Sequence, residues 1–175
     1  AYEIKECDWS SDVCSSDLAP GSGAYVGGKN QGRKEFLHEG QIRSFKGDIV
    51  PGQSFKKLNV ECKFYAGFPF HLLYSGECKQ LDSWLEQLLD VYDDGDLNVL
   101  FMKFNRIGQY IAVEPKHTWI LDNYTFYNSK KLGDWLITDK NHFFTNNKEL
   151  FKQYSTGSTD TKSDNLNLHI TQLTP

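Results

Sequence analysis

Leu58-Asn59-Val60-Glu61-Cys62-Lys63-Phe64-Tyr65 is the stretch from which the rest of the chain can be read. The turn-prone pair Pro51-Gly52 precedes it and Gly67 and Pro69 follow, while Val60, Phe64 and Tyr65 favour extended backbone. These features predict a strand over 58–65. Side chains two apart on a strand share a face, so Glu61 and Lys63 project together and Cys62 faces the core. Upstream lies Gly47-Asp48-Ile49-Val50, and a hairpin between the two segments brings Asp48 beside Glu61. Two neighbouring carboxylates repel unless a cation sits between them, and hard oxygen ligands select Mg²⁺ or Mn²⁺ over zinc. Lys63 could then orient an attacking water and stabilise charge developing on a phosphate oxygen. The chemistry implied is phosphodiester hydrolysis.

An acid, any residue and a lysine also occur at Glu3/Lys5, Glu77/Lys79, Glu114/Lys116 and Asp160/Lys162. Context separates them. Glu77 and Lys79 open a helix, where residues two apart point about 200° from one another and cannot share a site. Pro115 interrupts Glu114/Lys116 at a strand end, and Asp160/Lys162 lies in a polar tail.

Further along, Leu81, Trp84, Leu85, Leu88, Leu89 and Tyr92 recur at helical spacing with Asp82, Glu86 and Asp90 between them, predicting an amphipathic helix with Trp84 in the core. Asn98 to Asn105 and Gln109 to Glu114 read as a hairpin around Arg106-Ile107-Gly108. Trp119 to Tyr127 and Trp135 to Thr138 are expected to extend the sheet, and a short helix is expected from about Asn147 to Tyr154. Between Ala19 and Gly47 the chain is Gly-rich and basic, which predicts an ordered loop or flexible flap.

The chain has 175 residues, 39% hydrophobic, which suits one domain with its own core. Its longest apolar run, around Val99 to Met102, falls far short of the roughly 20 residues a membrane span needs. With no secretory signal pattern either, the expected location is cytoplasmic. The net charge of −4 argues against a nonspecific nucleic-acid coat, but the distribution is uneven. From Lys29 to Lys63 there are eight bases against four acids, and from Phe64 to Leu100 one base against seven acids. The basic stretch can meet a polyanion while the acidic helix faces away. Of Cys7, Cys14, Cys62 and Cys78, none forms a Cys-x-x-Cys pair, so neither a disulfide framework nor a closed zinc site is expected. Residues 8 to 18, Asp-Trp-Ser-Ser-Asp-Val-Cys-Ser-Ser-Asp-Leu, resemble a translated sequencing adapter. The expected organisation is therefore a foreign leader over 1–18, a nuclease-like domain over 19–154 and a polar tail over 155–175.

Taken together, Gly47-Asp48-Ile49, Val60-Glu61-Cys62-Lys63, the helix bearing Trp84 and Gln87, and Val99-Leu100-Phe101-Met102-Lys103-Phe104-Asn105-Arg106 resemble the PD-(D/E)xK nuclease superfamily. The pattern is most similar to its phage and archaeal Holliday-junction resolvase-like members and spans about Pro20 to Glu114. The resemblance implies an α/β fold with a restriction-endonuclease-like core, a mixed central β-sheet flanked by helices. It also implies an acid-bearing amino-terminal helix that this chain is expected to lack. Asp48 and Glu61 are then metal ligands with the backbone carbonyl of Cys62 as a third oxygen. Lys63 assists the nucleophilic water, and Gln87 supports the site or is a solvated glutamine. Pro20-Gly21-Ser22-Gly23-Ala24 resembles the family's Ser-Gly element, making Ser22 a phosphate contact or a loop cap. Arg43, Lys46 and Arg106 are candidates for backbone phosphates, with Lys57 weaker.

The expected activity is that of a Mg²⁺- or Mn²⁺-dependent DNA endonuclease acting on branched DNA, with a homodimer expected by analogy. A restriction-type or repair nuclease on the same core is one alternative. A catalytically inactive DNA-binding remnant, in which the acids pair with Lys63 or nearby bases, is the other. The assignment requires Asp48 to lie beside Glu61, and Glu61 not to turn into the packed interior.

Overall fold

The computed structural model describes residues 17–18, 32, 35–37, 48–50, 52 and 54–157. Its centre is a five-stranded sheet built from β3 (Leu58–Tyr65), β4 (Leu97–Phe104), β5 (Gly108–Val113), β6 (Thr125–Ser129) and β7 (Gly133–Asp139). The strands lie in the order β3-β4-β5-β7-β6. β3 and β4 run parallel, Glu61 opposite Leu100 and Lys63 opposite Met102, and the remaining pairs are antiparallel. Two dipeptide strands, β1 (Asp17–Leu18) and β2 (Ile49–Val50), form a separate antiparallel pair.

The parallel β3–β4 pair needs a long crossover, and helix α1 (Lys79–Leu89) supplies it. Leu81, Trp84, Leu85 and Leu88 recur at i, i+3, i+4 and i+7, and all four are buried against Leu100, Met102 and Phe104 of β4. On the opposite face, helix α2 (Lys140–Thr156) packs Phe143 and Phe151 against Val60, Val99, Phe101 and Ile111. β4 sits between these layers and is buried on both faces except at Lys103, which explains its near-continuous apolar run Val99-Leu100-Phe101-Met102. The result is the expected mixed sheet flanked by helices, a restriction-endonuclease-like α/β architecture.

Two expectations change in outline. Helix α2 begins seven residues before Asn147 because the carboxylate of Asp139 caps it, accepting from the His142 N–H at 2.9 Å. It ends at Thr156, where Gly157 takes φ 70°, a left-handed conformation that glycine adopts at little cost. Its first turns, Lys140-Asn141-His142-Phe143, are modest helix formers, so burial of Phe143 rather than propensity holds them. The segment 119–124 is not strand. Asn147 ties it to α2 instead, its amide donating to the Ile120 carbonyl at 2.9 Å and accepting from the Ile120 N–H at 2.7 Å. The Trp119 indole donates to the Glu114 carbonyl at 3.0 Å. Among the described residues, no helix is long and apolar enough to cross a membrane.

Candidate active site

The site grows from the edge strand β3. Alternation sends Val60 and Cys62 toward the α2 layer, where Val60 is buried and Cys62 packs from its margin. Glu61 and Lys63 project toward α1. Their side chains meet, the Lys63 ammonium donating to Glu61 Oε1 and, at 2.5 Å, to Gln87 Oε1 on the flank of α1. Gln87 is itself exposed, yet it is tied to the cluster.

Asp48 reaches the same place from the chain just before β2. Its backbone N–H donates to the Val60 carbonyl at 2.9 Å, and its Oδ2 accepts from the Cys62 N–H at 2.8 Å. In place of the expected hairpin, β2 pairs with β1, and Asp48 meets β3 through these backbone and side-chain bonds. These contacts also orient the Cys62 carbonyl. Within a strand the N–H and C=O of one residue point to the same side, so the Cys62 carbonyl is directed to the side on which Asp48 lies. The cluster therefore offers two carboxylates and a main-chain oxygen, with the Cys62 sulfur on the other face.

Electrostatics set Glu61 apart. It is only 5% exposed, and burial, then the negative charge of Asp48, push its carboxyl up to about 7. Hydrogen bonding and charge from Lys63 pull the other way without cancelling the rise. Glu61 is thus a buried acid whose polar neighbours are the Lys63 ammonium and Asp48. Among the described residues, no group of three or more His, Cys, Asp and Glu side chains gathers, so a cation here would depend on the two acids and main-chain or water oxygens.

The remaining candidates separate by position. Ser22, Arg43 and Lys46 lie outside the described residues. Arg106 is exposed in the β4–β5 turn with φ 58°, and neighbouring Asn105 donates its N–H to the Tyr65 carbonyl at 3.1 Å. The turn therefore abuts the far end of β3, about 13 Å along the strand from Glu61 at 3.3 Å per residue. Trp84 is core, as expected. The acidic helix does not face away, since Gln87 makes α1 one wall of the site. Its charge is offset by lysines of the β6–β7 turn, Lys130 on Glu77 at 2.7 Å and Lys131 on Glu86 at 2.5 Å. Glu114 and Lys116 pair with each other at 2.7 Å away from the cluster. Tyr65, read from the sequence only as a strand former, follows Glu61 and Lys63 on the same face of β3.

Comparison with curated proteins and with solved structures finds no match. A family profile described as "Phage putative PDDEXK endonuclease" matches residues 9–158. That range contains Asp48, Glu61, Lys63 and Gln87 and every strand and helix of the central sheet and its two layers. By the extent of this match and by its fold, the chain belongs to the phage PD-(D/E)xK endonuclease family.

Proposed function

We propose that this protein is a divalent-metal-dependent DNA endonuclease that hydrolyses phosphodiester bonds at Asp48, Glu61 and Lys63, with branched DNA of the Holliday-junction type as its substrate. The observation that carries the reading is the contact of two carboxyl groups and one ammonium on the face of β3 that α1 overlooks. A buried acid pushed up to about 7 beside a second acid is a site short of positive charge. An all-oxygen donor set fits Mg²⁺ or Mn²⁺ better than a soft metal.

When bound, such an ion supplies Lewis acidity toward a phosphate oxygen and toward water. Asp48 and Glu61 would hold it, together with the Cys62 carbonyl. Lys63 would direct its N–H bonds at the attacking water and the phosphate. Gln87 Oε1 holds the Lys63 ammonium on the strand face and limits its rotamers. Arg43, Lys46, Arg106 and Ser22 contact backbone phosphates away from the scissile bond. A two-fold dimer would present two such sites to opposed strands of a junction, in the cytoplasm of a phage-infected cell.

The test is to incubate the chain with a four-way junction, the matching linear duplex and Mg²⁺, alongside Asp48→Ala. Metal-dependent cutting of the junction that the variant lacks supports the reading. Equal cutting of duplex and junction favours the restriction-type or repair alternative. Absence of cutting on every DNA overturns the enzyme reading in favour of an inactive DNA-binding remnant.

A further inference from the structure

The row that carries Glu61 and Lys63 does not stop there. Tyr65 is the next residue on the same face of β3, one strand repeat of roughly 7 Å beyond Lys63. Its ring centroid lies 4.9 Å from that of Trp84, with the planes tilted by 34°. Trp84 is 3% exposed and is backed in turn by Phe68 at 5.5 Å and Phe104 at 6.3 Å. Tyr65 is therefore the outer member of a buried aromatic stack, anchored from behind yet 43% exposed. Arg106 is exposed in the adjoining turn, whose Asn105 N–H donates to the Tyr65 carbonyl at 3.1 Å.

We propose that Tyr65 is a base-stacking residue that receives an unpaired nucleobase next to the bond cleaved at Asp48, Glu61 and Lys63. The inference rests on the endonuclease reading and deepens it by naming what the site recognises. A base inside a duplex has both faces covered by its neighbours, so an aromatic ring can stack only on a base that is unpaired or splayed out. An immobilised ring with an open face binds such a base with little further ordering cost. Arg106 supplies positive charge for an adjoining phosphate. Selectivity for branch points and single-stranded gaps then follows from this stack, with no need for base-edge hydrogen bonds.

The experiment uses the full chain and a forked DNA carrying 2-aminopurine at single unpaired positions, with the matching duplex as control. Binding is read by anisotropy and stacking by quenching of the probe, in an Asp48→Ala background so that no strand is cut. Quenching confined to one unpaired position at the fork is expected. Tyr65→Leu, which keeps apolar cover over Trp84, abolishes that quenching and weakens fork binding roughly tenfold to a hundredfold, while duplex binding barely changes. Tyr65→Phe retains both signals. Because the probe is read first without altering Tyr65, absence of position-dependent quenching overturns the proposal even if the leucine variant misfolds. Equal loss of fork and duplex binding in Tyr65→Leu also overturns it. Cutting assays with Asp48 intact keep the two readings apart: cleavage that ignores Tyr65→Leu defeats the stacking role, whereas stacking without cleavage defeats the endonuclease reading.

Discussion

The carboxylate of Asp48 accepts a hydrogen bond from the main-chain N–H of Cys62 at 2.8 Å, fourteen residues away in sequence. That bond joins the two halves of the acidic motif and fixes the aspartate against the strand that carries Glu61 and Lys63. It gives Asp48 a structural role beside the chemical one proposed for it. Asp48→Asn retains an oxygen acceptor for Cys62 but no carboxylate, whereas Asp48→Ala loses both. We expect the asparagine variant to melt close to the unaltered chain and the alanine variant to lose about 1–2 kcal/mol. Both should lose Mn²⁺ binding in a calorimetric titration. Retention of the metal by the asparagine variant would remove Asp48 from the ligand set.

Glu61 gives the chain a pH signature. Its carboxyl titrates near 4.5 when unfolded and at about 7 when folded. Below pH 4.5 both states hold the proton and nothing is lost. Between 4.5 and 7 the folded state holds more protons, so metal-free stability falls as pH rises, by on the order of 1–3 kcal/mol in all. Glu61→Gln, which cannot ionise, should match the unaltered chain near pH 4 and melt higher at pH 8. Added Mg²⁺ should raise the melting temperature of the unaltered chain at pH 8 and leave Glu61→Gln unmoved. Parallel melting curves for the two proteins from pH 4 to 8 would contradict the assignment.

Lys63 is held between an acid on its own strand and an amide on a helix, with Gln87 at 2.5 Å. Removing the ammonium in Lys63→Met should lower kcat by about 10²–10³-fold, the size of effect found for a lost donor at a developing oxyanion. Gln87→Leu removes only the tether, so kcat should fall less, about three- to tenfold, with metal affinity preserved. Gln87→Glu keeps an acceptor and should recover part of the loss. A Gln87→Leu enzyme with unaltered kcat would make this contact a solvated helix flank.

Arg106 adopts φ 58° in the β4–β5 turn, a conformation that costs a residue with a Cβ roughly 1 kcal/mol relative to glycine. Arg106→Gly should therefore stabilise the fold slightly while weakening DNA binding and reducing its salt dependence by about one phosphate contact. The opposite signs can be read in one set of samples by thermal melting and by salt-titrated anisotropy. Unaltered DNA affinity in that variant would take Arg106 out of the interface.

Strand β3, helix α1, the β4–β5 hairpin and the pairing of Glu61 with Lys63 were legible in the sequence. All of them depend on local periodicity, two residues on a strand and 3.6 on a helix, which an apolar pattern writes directly into the chain. Helix α2 was half legible, since the cap at Asp139 precedes a run of modest helix formers whose stability comes from burying Phe143 and from Asn147 gripping Ile120. Only the tertiary structure decided that Asp48 is fastened by a side-chain bond rather than by a ladder, that Gln87 on the acidic helix turns to Lys63, and that Tyr65 rests on Trp84. Those contacts join residues 14 to 24 positions apart in the first two cases and depend on how the layers are packed, information that no single stretch of sequence carries by itself.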